Sequence, residues 1–234
     1  DHVVPVSSAR AAELTKVFEN TFRAVNIALV NEMMLLCDRM GLNVWEVLEA
    51  SNSKPFGIMK FLPGPGVGGH CIPLDPHYLE WKAREYNFRT RFIGLAGEIN
   101  RAMPQFVVNK AARVLNEFSK SMKGSRILVL GVAYKNDIDD WRESPAIDVL
   151  KLLDPTGADV AYSDPFVPDF DDHGYARTGV EMTDAELEKA DLVIITTAHK
   201  SVDYQRVVDK AKAVLDTRNA THGLKNTEGK VTLL

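Results

Sequence analysis

Between Pro5 and Gly41 the chain contains neither glycine nor proline. Over that interval Ala11, Leu14, Phe18, Phe22, Val25, Leu29, Met33 and Leu36 recur at helical spacing. The pattern predicts one unbroken helix over residues 8–39, and every other element has to be arranged around it. A shorter helix is expected over 44–50. Another should run from Asp75 to about Tyr86, with Asp75 as N-cap and Pro76 as first helical residue, and a long one over 92–118 with Pro104 as a kink or break. Residues 51–71 are rich in breakers: Pro55, Gly57, Pro63, Gly64, Pro65, Gly66, Gly68 and Gly69. A loop that long inside a compact domain is usually functional or disordered.

At Lys123-Gly124 the character changes. Arg126-Ile-Leu-Val-Leu-Gly131 is a short apolar run closed by glycine, as in a buried parallel strand. Helices expected at 144–153, 184–189 and 204–212 alternate with strands at 159–162, 192–197 and 213–216, the order of βαβ units. The expected fold is α/β: an all-helical domain over 1–122, then a Rossmann-like, doubly wound parallel-sheet domain over 123–234. A chain of 234 residues, 45% hydrophobic and 26% charged, suits two such domains and excludes the disordered and fibrous classes. The formal net charge of −4 argues against nucleic-acid and membrane-surface partners. No stretch has the roughly 18 apolar residues of a membrane span. Cys37 lies in an apolar helical pattern and Cys71 in a glycine-rich loop, which points to two reduced thiols and a cytoplasmic location. Asp1-His-Val-Val-Pro5 has no signal-type layout and reads as a strand end or linker, as in part of a longer protein.

The strongest chemical signal is Pro63-Gly-Pro-Gly-Val-Gly-Gly-His-Cys71-Ile-Pro-Leu-Asp75-Pro76. Gly68 and Gly69 let backbone approach a ligand, and Cys71 precedes a helix N-terminus whose dipole favours a thiolate. A tight turn with an incidental thiol is the plainer account, and His70, Cys71, Asp75 and His77 as metal ligands a third. Lys16 and Asn20 share a helix face, where an amine and an amide can polarise a carbonyl or hold a water. A solvated lysine is the competing account. The series Glu19, Asn20, Arg23, Asn26, Asn31 and Glu32 is more polar than a core helix needs, which implies a buried polar interface. In the second domain, Gly131-Val-Ala-Tyr-Lys135 with Arg142-Glu-Ser144-Pro145 places a ligand site at the sheet's switch point, with Ser144 capping the next helix. Lys135, Arg142 and, past a later strand, Arg218 supply charge for phosphates. Against this stand a structural turn at Gly131 and a surface salt bridge at Arg218.

Three segments together resemble the UDP-glucose/GDP-mannose dehydrogenase family: Ala12-Glu-Leu-Thr-Lys16-Val-Phe-Glu-Asn20, Gly68-Gly-His-Cys71-Ile-Pro-Leu-Asp75, and Gly131-Val-Ala-Tyr-Lys135 with Arg142-Glu-Ser-Pro. Family members begin with an NAD-binding domain carrying GxGxxG. The only letter match here, Gly64-Pro-Gly66-Val-Gly-Gly69, follows no predicted strand and opens no helix, so the chain resembles the family's central and C-terminal domains. The resemblance implies NAD-dependent, four-electron oxidation of a UDP-sugar C6 hydroxyl to a carboxylate, for surface-polysaccharide precursors. It implies that Cys71 captures the aldehyde as a thiohemiacetal, later a thioester. Lys16 and Asn20 stabilise the oxyanion, Asp75 orients Lys16 and the water, Lys135 and Arg218 grip UDP, and Arg142 reaches NAD. It also implies a homodimer through the first helix. The stretch from Gly69 to Arg84, with Pro55-Phe-Gly57, is most similar to the branch acting on UDP-N-acetylhexosamines, especially UDP-N-acetylglucosamine. UDP-glucose and UDP-N-acetylmannosamine are the alternatives, as is a non-catalytic dimerising UDP-binding module.

Overall fold

A computed structural model describes residues 3–234. Of the segment expected as a strand end or linker, Asp1 and His2 lie outside the described residues, and Val3–Val6 has no regular structure. Helix α1 (Ala9–Met40) is capped by the Ser8 side chain, which accepts from the Ala11 N–H, and it ends at Gly41 with φ +68°. Its apolar period identifies the helix but not the face that is buried. Leu14, Phe18, Phe22, Leu29, Met33, Leu36 and Met40 are all exposed. The face turned inward is Asn20, Thr21, Ala24, Ala28, Asn31, Met34 and Cys37. Small and amide side chains there let α3 (Asp75–Arg84) and α4 (Arg91–Glu117) lie close against it. Asp38 of α1 accepts from Lys110 at 2.7 Å and Arg113 at 2.9 Å, tying it to α4.

Helix α2 (Val44–Asn52) follows, capped by the Asn43 side chain. Helix α4 passes through Pro104 without a break. Proline has no N–H for the Asn100 carbonyl one turn back. That oxygen instead lies beside Gly66 of the long loop.

The sheet has five parallel strands in the order β2-β1-β5-β6-β7: β1 (Arg126–Leu130), β2 (Asp159–Ser163), β5 (Leu192–Ile195), β6 (Val214–Asp216) and β7 (Val231–Leu233). Chain order reverses between β1 and β5, which makes it doubly wound. One face is covered by α6 (Asp184–Lys189) and α7 (Tyr204–Lys210), which pack Leu187 and Val207 with Leu128, Leu130, Val193 and Ile195. The other is covered by α5 (Pro145–Leu153), whose Ser144 cap accepts from the Ala146 N–H, and by α4. Met103, Val107, Ala111 and Leu115 of α4 thereby share one core cluster with Ile127 and Val129 of β1. The hairpin of β3 (Asp169–Asp172) and β4 (Tyr175–Thr178) and the short β7 carry no alternating pattern that periodicity could find. The hairpin turns at His173 and Gly174, both at positive φ, and is held by Phe170 stacked between Trp141 and Tyr162.

Past β1, the buried Asp164 carboxylate accepts from the N–H groups of Val132 (2.7 Å), Ala133 (3.0 Å), Phe166 (2.8 Å) and Val167 (3.2 Å). His199 Nδ1 accepts from the Asp137 N–H, so Nε2 is the donor to Asp164 at 3.0 Å. Burial alone would push the Asp164 carboxyl up. Its bonds from His199, Ala133 and Phe166 outweigh that and hold it below its ordinary value of 3.8. Such a group contributes stability above that ordinary value and loses it as pH falls through the lower, folded-state value. Asp164→Asn should therefore destabilise the chain by about 3 kcal/mol at pH 7. In denaturant titrations repeated down to pH 2, the gap to wild type should narrow only below pH 4.

Candidate active site

The Pro63–Cys71 segment spans the helical layer and the sheet domain, and each anchor is a buried polar or glycine contact. Asn31 of α1 is fully buried; its Oδ1 accepts the Gly64 N–H at 3.0 Å. Its Nδ2 donates to Asn100 Oδ1 at 2.9 Å, and Asn100 in turn donates to the Ala24 carbonyl at 3.1 Å. The loop then lies flat on the sheet domain. A Cβ on Gly68 would stand 2.7 Å from the Glu143 carbonyl oxygen and from Tyr134 Cβ. Gly69 has φ +87° and would place its Cβ 2.8 Å from the Tyr134 ring. The close approach that Gly68 and Gly69 permit is thus made, in this structure, to the second domain of the same chain.

Cys71 is an exposed free thiol. Its carbonyl accepts the Asp75 N–H at 2.9 Å as α3 begins. Asp75 is not the N-cap that its place before Pro76 predicts. Leu74 stands at the cap with no side-chain bond, and Asp75 is the first helical residue. Its carboxylate points elsewhere: Asp75 Oδ2 accepts from Asn20 Nδ2 at 2.6 Å. Asn20 is fully buried, and its Oδ1 accepts from Arg23 at 2.6 Å, which fixes the amide with its N–H groups toward Asp75. Asn20, Asp75 and the Cys71 loop are thus brought together. Lys16 lies one turn before Asn20 on α1, about 6 Å along the axis, exposed and without a side-chain bond among the described residues. The backbone bond from the Asp75 N–H to the Cys71 carbonyl thus ties the exposed thiol's residue to the one whose carboxylate Asn20 holds.

At the sheet's switch point the crevice floor is closed by the protein itself. The Val132 and Ala133 N–H groups serve Asp164, while Thr196 Oγ1 donates to the Gly131 carbonyl at 2.5 Å and Thr197 Oγ1 to that of Ala133 at 2.6 Å. Two cationic side chains follow the strand ends. Lys135 is exposed. Arg218 follows β6, where Asp216 accepts its backbone N–H at 2.9 Å. Its guanidinium fills the space a side chain on Gly64 would need, and it has no ion pair among the described residues. Burial lowers the Arg218 pKa from its ordinary value, with Asp216 opposing. A half-buried cation without a counter-ion is a ready anion contact. Arg142 is not free in this way: Asp140 accepts from its Nε and its Nη2, each at 2.9 Å.

Among the described residues no three His, Cys, Asp or Glu side chains converge as metal ligands. His70 faces Asp140 at 3.6 Å, and His77 contacts Arg101 at 2.8 Å, so the side chains that could have formed a metal set face separate partners. Asn31 belongs to the polar series already noted on the first helix, but nothing in its spacing assigns it to the loop. Asn100 and Tyr134 are reached only through tertiary contacts, whereas Asp140 sits two residues before Arg142 and is joined to it by bonds that spacing alone does not assign.

Asn31→Ala should leave the buried Gly64 N–H and the Asn100 amide short of partners, a loss of about 1–3 kcal/mol. Hydrogen exchange should show Gly64 losing protection before the helix interiors do. A thiol reagent at neutral pH should modify Cys71 rapidly and Cys37, which is 2% exposed, only on unfolding.

Residues 10–102 match the signature of the UDP-glucose/GDP-mannose dehydrogenase family, central domain, and residues 128–223 that of the same family's UDP binding domain. The chain is 36% identical over 223 residues to UDP-N-acetyl-D-mannosamine dehydrogenase of Methanocaldococcus jannaschii, covering 92% of this chain and 48% of that protein. It is 36% identical over 219 residues to NDP-N-acetyl-D-galactosaminuronic acid dehydrogenase of Ralstonia nicotianae, covering 91% and 49%. A crystal structure of NDP-N-acetyl-D-galactosaminuronic acid dehydrogenase from Methanosarcina mazei Go1 superposes with TM-score 0.84 at 30% identity, over 97% of this chain and 50% of that one. The chain therefore spans about half the length of the curated relatives it matches. Signatures covering both regions, with the thiol loop and its α1 anchors in place, make this chain a member of the UDP-glucose/GDP-mannose dehydrogenase family.

Proposed function

We propose that the whole protein oxidises the C6 hydroxyl of a UDP-N-acetylhexosamine to a carboxylate, in two two-electron steps, to supply surface-polysaccharide precursors. The observation that carries this reading is the exposed Cys71 thiol, whose backbone carbonyl accepts from Asp75 while the Asp75 carboxylate accepts from Asn20. NAD, when bound, supplies the acceptor for both electron pairs. The residues here fit only part of it: Arg142 is 61% exposed, while the glycine run of the loop is packed on Tyr134 and Pro145. This chain alone is expected to bind UDP without turnover.

The chain's own residues account for the rest of the chemistry. The Cys71 sulfur adds to the aldehyde carbon, and the thiol proton passes to the carbonyl oxygen, giving a thiohemiacetal. Lys16 and the Asn20 Nδ2–H not given to Asp75 stabilise the negative charge that develops on that oxygen before the proton arrives. After the second oxidation the carbon is held as a thioester. Asp75, steered by Asn20, orients and deprotonates the attacking water, and the C–S bond breaks to return the thiol. Lys135 and Arg218 hold the UDP phosphates. The exposed apolar stripe of α1, from Leu14 to Met40, supports a homodimer built on that helix.

The acetamido class is supported by Pro55-Phe-Gly57 and by the substrates printed in the relatives' names, which put UDP-N-acetylmannosamine ahead of UDP-N-acetylglucosamine. Assaying both epimers and UDP-glucose tests this directly. Lys135→Ala should weaken UDP binding by about 1–3 kcal/mol, read by calorimetry. In the whole enzyme, Cys71→Ala should still form aldehyde slowly but yield almost no carboxylate. Wild-type output of carboxylate, with four electrons counted per sugar, would exclude covalent catalysis at this loop.

A further inference from the structure

We propose that Asp140 is a positioning residue that presents the free edge of the Arg142 guanidinium to an anionic group at the rim of the Cys71 loop. The proposal rests on the reading of Arg142 as a contact to the dinucleotide.

The geometry is specific. Asp140 Oδ1 accepts from Arg142 Nε and Oδ2 from Nη2, both at 2.9 Å, and Oδ1 also accepts the Arg142 backbone N–H at 3.1 Å. These bonds use the Nε–H and one Nη2–H. Of the five guanidinium N–H groups, the two on Nη1 and the second on Nη2 remain, and one from each nitrogen lies along the outer Nη1/Nη2 edge of the plane. That edge has no bond among the described residues, and the side chain is 61% exposed. A planar edge with parallel donors is what a phosphate or pyrophosphate accepts bidentately.

Asp140 is itself fixed by its main chain, since its carbonyl accepts the Tyr134 N–H at 3.0 Å. The same Tyr134 ring covers Gly69. From the facing loop, His70 Nε2 stands 3.6 Å from Asp140 Oδ2, and His70 directly precedes Cys71. Asp140 therefore joins the arginine arm to the thiol loop. With Arg142 first and His70 last among the groups that lower it, its pKa is held at about 2, so it stays ionised through the neutral range.

The sign of one substitution separates positioning from plain electrostatics. Removing a carboxylate beside Arg142 makes the rim more positive, so Coulomb attraction alone predicts tighter binding of an anion. Loss of positioning predicts weaker binding. In the whole enzyme, Asp140→Asn should raise the NAD dissociation constant about three- to tenfold by calorimetry, the loss of one charge-assisted contact's orientation. UDP binding should be unchanged, and KM for NAD should rise with kcat held. Arg142→Ala should weaken NAD by at least as much, and the double variant should bind no more weakly than Arg142→Ala alone.

In the 234-residue chain, with no cofactor present, the Arg142 Nε–H resonance should shift on Asp140→Asn. Unchanged or tighter NAD binding in Asp140→Asn, with Arg142→Ala weakened, would overturn the proposal. So would full additivity in the double variant. Unchanged NAD binding in Arg142→Ala would instead refute the reading of Arg142 itself. Should Asp140→Asn also lose UDP binding, Asp140→Glu carries the comparison: it keeps the charge but displaces the carboxylate, so affinity intermediate between wild type and Arg142→Ala supports positioning, and affinity equal to wild type overturns it.

Discussion

Two buried amides on one helix hold both ends of the thiol loop. Asn31 takes the Gly64 N–H and Asn20 donates to Asp75, so eleven residues of loop are pinned to two points on α1 about three turns, or roughly 16 Å, apart. A rigid helix serves here as the template against which an irregular segment is set. Because Asn20 and Asn31 are fully buried, each must be satisfied or cost its desolvation, so the loop has few alternative placements.

The second support comes from the sheet domain, through shape more than through charge. Gly68 and Gly69 let the loop lie on Tyr134, and Gly64 admits the Arg218 guanidinium. The thiol loop and Arg218, one of the cations proposed to hold the nucleotide phosphates, are thereby fixed relative to one another. The core supports this from below, since α4 packs on α1 with one face and on α5 with another. A mechanism that needs a carbon and a diphosphate held at constant separation benefits from such a joint. The internal anion Asp164 adds a negative rule. By taking the N–H groups at the first turn after β1, it removes the place where dinucleotide sheets seat a pyrophosphate, which is why the nucleotide contacts proposed above fall on Lys135 and Arg218 instead.

Element positions were legible in the sequence wherever they rest on period and on punctuation by glycine and proline: α1, α4 and β1 are examples. What period could not tell is which face of α1 is inside. The regular apolar stripe that identifies the helix is the exposed one, and the buried face is amides and small side chains that a hydropathy pattern scores as weak. Of the two outcomes expected at Pro104, a break does not occur: the helix continues, with the freed Asn100 carbonyl beside Gly66. Asp75 reads as a cap from its neighbour Pro76, yet a tertiary partner, Asn20, claims its carboxylate.

By itself the sequence determined the two-part α/β architecture, the glycine-rich loop around Cys71 and the residue types within it, because each depends on local spacing and side-chain chemistry. Tertiary structure decided which of those residues meet. It joined Asn20 to Asp75 across 55 positions and Gly64 to Asn31 across 33, gave Arg142 to Asp140, and left Lys16 and Lys135 unpaired among the described residues. Such pairings depend on how helices and strands pack at a distance, and no window of sequence contains both partners. The exception is Asp140, two residues from Arg142, where proximity was visible but the bond still required the turn that the Tyr134 N–H closes on the Asp140 carbonyl.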